Sequence, residues 1–210
     1  MRHNQQGFTL LEIAIVMLVI GLLITMTIRG QELINSSRVK SLAYDFKHIQ
    51  VALYGYQDKF RALPGDDQYA SAHLSGFGTA INNGNGNAIV GGNWNSTSGE
   101  SFNLWQHVRL AGLMQGSTDT NSDTYVPLNT VGGIIGISEA SAAPIAGLQG
   151  EYIICSDNIA GKLAKQLDLM LDDGNTATGS MKASNVTLGG AAIDTNSIME
   201  STAYLTCMVV

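Results

Sequence analysis

Phe8 to Ile28 read FTLLEIAIVMLVIGLLITMTI, and this run sets the architecture of the chain. It carries one ionisable side chain, Glu12. A helix of this length covers roughly 31 Å, about the hydrocarbon thickness of a bilayer. The run is too long for the apolar part of a cleaved secretory signal, and no small-x-small cleavage site follows it. A plain membrane anchor would not need a carboxylate near its start. A charge at that depth costs several kcal/mol, so it points to a function.

Working outward, the chain divides near residue 60. Residues 1–60 hold four of the 24 glycines, six Lys/Arg and four Asp/Glu, a balance of +2. Residues 61–210 hold the other twenty glycines, all three prolines, five Lys/Arg and thirteen Asp/Glu, a balance of −8; the two sum to the overall −6. Charged residues are 13% of the chain against a usual ~25%. Hydrophobic residues are 45%, which excludes a charge-extended disordered chain. The acidic balance disfavours nucleic acid as a partner, since such proteins present a basic face.

The residues ahead of the apolar run are MRHNQQG. Gly7-Phe8-Thr9-Leu10-Leu11-Glu12 resembles the cleavage and methylation signature of prepilins: type IV pilins, the pseudopilins of type II secretion and their relatives. The resemblance is firm over about residues 1–60 and looser beyond. It implies that residues 1–7 are a leader, removed by a prepilin peptidase that cuts after Gly7 and methylates the new amino group of Phe8. It implies that residues 8–28 cross the membrane before assembly and enter the filament core after it. Glu12, the fifth residue after the cut, would then meet the N-terminal amine of a neighbouring subunit, since a buried carboxylate needs a partner. Many members carry a proline partway along the mature helix; Arg29 stands at that place here, and no proline precedes Pro64.

Residues 29–60 read as an amphipathic continuation of the helix. Leu42, Phe46, Ile49, Leu53, Tyr56 and Phe60 step by four and three, a stripe suited to packing on a sheet. Pro64-Gly65 is expected to end this helix, which from residue 8 would be on the order of 80 Å long. Residues 61–210 read as the globular head. Residues 61–98 are loop-like, rich in Gly, Asn and Ser. Glu100–Met114 reads as a helix with Phe102, Trp105, Val108 and Leu113 on its apolar face, and it resembles helices of pilin-like heads. His107 beside that stripe is expected to be structural. Asn158–Leu171 reads as a second helix. Gly133–Ser138, Glu151–Cys155, Asn185–Leu188 and Ala203–Val210 read as short strands. The fold class is therefore α+β: a long N-terminal helix on an antiparallel sheet, the type IV pilin fold by resemblance.

The two cysteines, Cys155 and Cys207, each fall in an expected strand. With the head outside the cytoplasm, a disulfide between them is expected, similar to the one that ties down the C-terminal region of many pilins. Asp66-Asp67 and Asp168, Asp172, Asp173 form acidic clusters, but neither matches the spacing of a calcium loop, so no metal site is expected. No nucleophile–base pair, metal spacing or phosphate loop stands out, and neither an enzyme nor a cofactor is expected.

The implied role is a pilus subunit that polymerises with copies of itself. The alternatives are a pseudopilin of type II secretion and a minor pilin serving adhesion or DNA uptake. The implied partners are the prepilin peptidase and a pilus or secretion assembly platform. The implied location is the cytoplasmic membrane for the precursor, then the cell surface or the periplasm.

Overall fold

The computed structural model describes residues 9–76, 80–185 and 190–210. The chain forms two compact units, Met1–Ser37 and Arg38–Val210. Helix α1, Leu10–Phe60, supplies all the described residues of the first unit except Thr9, and the first element of the second.

In the first unit Thr9 opens the helix. Its side-chain oxygen accepts from the Glu12 N–H at 3.2 Å, and its carbonyl accepts from the same N–H at 3.1 Å. Thr9-x-x-Glu12 has the spacing of a capping box, in which a hydroxyl and an acid satisfy helix-start donors and favour the positive end of the helix dipole. The Thr25 hydroxyl donates to the Gly21 carbonyl at 2.9 Å and the Thr27 hydroxyl to the Ile24 carbonyl at 2.8 Å. Both hydroxyls are satisfied inside their own helix, as an apolar surrounding demands.

In the second unit the expected stripe is the core. Leu42, Phe46, Ile49, Leu53 and Tyr56 are buried, with Val39, Ala43 and Ala52 beside them, and Phe60 is partly covered. Helix α1 stops at Phe60, ahead of Pro64-Gly65. Arg61 adopts a left-handed backbone (φ 54°), and its N–H bonds to the Gln57 carbonyl at 2.8 Å, a left-handed C-terminal cap built without glycine. A short helix α2 follows at Ala70–His73, then α3 at Glu100–Leu110.

The sheet contains β1 (Ile135–Ser138), β2 (Ile153–Ala160), β3 (Met181–Ser184) and β4 (Ala203–Val209) in the order β1-β2-β4-β3, with every pair antiparallel. The C-terminal strand thus lies in the middle, between β2 and β3. Helix α4, Gly161–Leu171, directly follows β2.

Alternation along the strands divides the core. Ile135, Ile137, Ile154, Met181 and Met208 join the cluster formed by α1, α3 and α4. Ile153, Cys155, Leu205 and Cys207 join Trp94, Ile145 and Leu148 in a second cluster. The sheet is therefore covered on both faces, by helices on one and by loops on the other. Gly136 belongs to this second layer: a Cβ there would overlap the Trp94 carbonyl, so only glycine lets the loop lie against β1. Cys155 and Cys207 are register partners on β2 and β4 and form a disulfide on the loop-covered face.

Several expectations shift, and the helix expected over Glu100–Met114 ends at Leu110. Asn158–Ala160 belongs to β2 rather than α4, after a bulge between Ser156 and Ile159 in which Asn158 takes φ 56°. The third strand is Met181–Ser184; of the expected Asn185–Leu188, only Asn185 lies within the described residues, and it is a bend. The expected loop 61–98 contains α2 at Ala70–His73; the described residues after it are loop, with Val90 and Trp94 buried.

Candidate functional site

Among the described residues three places concentrate function-bearing chemistry, one in the first unit and two in the second. In the first unit, the large apolar side chains from Leu10 to Ile28 are all exposed, from 91% for Leu10 to 45% for Ile13 and Ile20. Ordinary protein surfaces do not carry an uncovered apolar face of this extent. The segment is long and apolar enough to cross a membrane. Glu12 is exposed and is the one acidic or basic side chain in it. Gly7 and Phe8, the expected processing residues, lie outside the described residues.

In the head, the paired carboxylates Asp66 and Asp67 are buried. The Asp66 carboxylate accepts from the N–H groups of Gly86 (2.7 Å), Asn87 (3.1 Å) and Ala88 (2.8 Å). It is the anchor on which the Gly/Asn loop is wound. Asp67 accepts from the Tyr56 hydroxyl and from His73 Nδ1, both at 2.7 Å, and from the Tyr69 N–H at 2.9 Å. Burial pushes the Asp67 carboxyl up, but the bonds from His73, Tyr56 and Tyr69 outweigh it and hold it below the usual carboxylate range. Burial, together with that acid, pushes the Tyr56 hydroxyl far above its ordinary value.

His107 is fully buried beneath this turn. Its Nδ1 accepts from the Gly65 N–H at 2.9 Å, which places the ring proton on Nε2, facing the Asn82 carbonyl at 2.8 Å. The ring is therefore neutral, and burial holds its pKa below the ordinary value. His107 is a structural clasp between α3 and two loops.

A cleft of about 590 Å³ opens beside the turn, lined by Gln57, Phe60, Arg61, Asp67, Tyr69 and His73 among others. The Asp67–His73 pair has the geometry that orients an imidazole in catalysis. Among the described residues lining the cleft there is no Ser, Thr, Cys or Lys. What the arrangement does is tie the end of α1 to α2.

The second acidic group sits at the end of α4. Asp168 is fully buried, Asp172 partly exposed and Asp173 exposed. Burial, then the charges of Asp172 and Asp173, push the Asp168 carboxyl up to about 6. The spacing was legible, but the burial of Asp168 was not; its place one turn after the buried Ala164 was the available signal.

Residues 2–28 match the family model described as the prokaryotic N-terminal methylation motif, the prepilin-type signal of type IV pilins and pseudopilins. The match spans Gly7, Phe8, Glu12 and the apolar run. Comparison with curated proteins and with solved structures gives no match.

Proposed function

We propose that this chain is a structural subunit of a type IV pilus and not an enzyme. The precursor sits in the cytoplasmic membrane through residues 8–28 with its head outside the cytoplasm. The prepilin peptidase cuts after Gly7 and methylates Phe8. An assembly platform then draws the subunit from the membrane, and copies pack their apolar helices into a filament core. The observation that carries this reading is the uncovered apolar segment from Leu10 to Ile28 with one carboxylate, Glu12, directly after the processing signal.

The helix is too apolar to remain in water, and lipid and a bundle of like helices satisfy it in turn. Glu12 gives the bundle direction: its carboxylate pairs with the methylated amine of Phe8 on a neighbouring subunit, so neither charge is buried alone. The head, tied to residues 38–60 by the stripe and by Tyr56, forms the outer surface.

Glu12→Ala tests the reading. Filaments are expected to be lost while the membrane-held, processed subunit persists; normal filaments in that variant would contradict the docking role. Thr9→Ala separates docking from helix capping, because it removes the cap and leaves the carboxylate.

A further inference from the structure

We propose that the C-terminal end of α4 is a binding site for a hard divalent cation of the calcium class, held by Asp168, Asp172 and Asp173. This inference stands apart from the filament reading.

One carboxylate oxygen from each of the three residues lies within 4.8 Å of the others. Two oxygens bound to one calcium ion, each at ~2.3–2.6 Å, are separated by at most about twice that distance, so all three are within reach of a single ion. Proximity of acids is common on surfaces and decides nothing alone. The deciding observation is Asp168 itself. It is 0% exposed, and no donor lies within hydrogen-bond distance of either carboxylate oxygen; the Gly174 N–H faces the group from farther off. Among the described residues no Lys, Arg or His forms an ion pair with any of the three. A buried carboxylate with no close donor is the group a cation would satisfy.

The surroundings suit that ion. The Asp172 carboxylate accepts from the Met181 N–H at 2.9 Å. The Asp173 carboxylate accepts from the Asn175 N–H at 2.8 Å and the Thr178 hydroxyl at 2.6 Å. These bonds hold two of the acids facing the third, as outer partners orient metal ligands. The negative end of the α4 dipole adds to the attraction. The rising exposure from Asp168 to Asp173 leaves a path from solvent. All donors are oxygens, with no His or Cys among them, which selects calcium, magnesium or manganese over zinc or copper. The spacing i, i+4, i+5 at a helix end is unlike a calcium-binding loop, and for that reason the sequence pattern alone argued against a metal.

The test is thermal unfolding of the full chain in detergent after EDTA treatment and dialysis, with calcium, magnesium or manganese chloride added alone, and sodium chloride matched for ionic strength. A saturating cation is expected to raise Tm by roughly 5–10 °C, with one ion per chain by titration calorimetry. Asp168→Asn is expected to abolish the rise. Asp173→Asn, at an exposed position that leaves the core untouched, is expected to weaken binding at least tenfold with little change in Tm of the cation-free protein. No shift with any of the three cations, or a full shift retained in both variants, would overturn the assignment.

Discussion

The Tyr56 hydroxyl donates to the Asp67 carboxylate at 2.7 Å, across eleven residues, and both side chains are buried. This bond joins the amphipathic stretch of α1 to the turn that follows it. It also shows how the head is fastened: an apolar stripe supplies the area, and a few buried polar bonds fix the position. A net hydrogen bond to a charged group is worth ~1.5–3 kcal/mol. Tyr56→Phe, which keeps the ring, is expected to cost about that much in thermal or urea unfolding. Asp67→Asn is expected to cost more, since it also weakens the bond to His73. Wild-type stability in both would mean that the apolar stripe alone holds the turn.

The disulfide makes a second prediction. Cys155 and Cys207 are 52 residues apart and joined across β2 and β4. In the chain-entropy account, closing such a loop contributes about 4 kcal/mol. The double variant Cys155→Ala, Cys207→Ala is expected to lose that much, and a non-reducing gel of the wild type is expected to show the faster, cross-linked form. The site is buried against Trp94 and Leu148, so mild reductant is expected to act only after local opening.

Stability is expected to depend on pH through His107. Its folded pKa lies below the ordinary 6.5, so as pH falls below about 6.5 the unfolded chain takes up a proton that the native ring refuses. Native stability from this residue is complete above that value and declines below it. Asp45, raised to about 6 chiefly by burial, acts in the opposite sense between 3.8 and about 6. The contribution of His107 is therefore read as the difference between wild type and His107→Gln. That difference is expected to shrink as pH falls from 7 toward 5; a constant difference would show that the ring is not held neutral.

Gly136 gives a backbone test. A methyl group there meets the Trp94 carbonyl, so β1 and the loop must separate. Gly136→Ala is expected to destabilise by about 1–3 kcal/mol, the usual range for overpacking. Gly21→Ala, where nothing lies within 4 Å, is expected to leave the fold intact.

These features divide by how they were legible. The stripe from Leu42 to Tyr56 and the apolar run from Leu10 to Ile28 were plain, because helical burial repeats with a period that side chains reveal locally. Met181–Ser184 was missed because Met, Lys, Ala and Ser are weak strand formers, and only pairing with β4 makes them a strand. Ile159 matched the helical spacing of Leu163 and Leu167, and that match concealed the bulge at Asn158. Asp66 and Asp67 were legible only as an acidic pair in a loop-like stretch, because their partners lie up to 22 residues away. The burial of Asp168 depends on packing of the same long-range kind. The processing signal needed no tertiary information at all, since a peptidase reads it as a linear motif.

Mass spectrometry of the N-terminal peptide from sheared surface fibres tests the central claim most directly. The account predicts that the fibres contain this chain and that its first residue is Phe8, carrying one methyl group on its amine. Fibres that lack the chain, or a chain that retains residues 1–7, would contradict it.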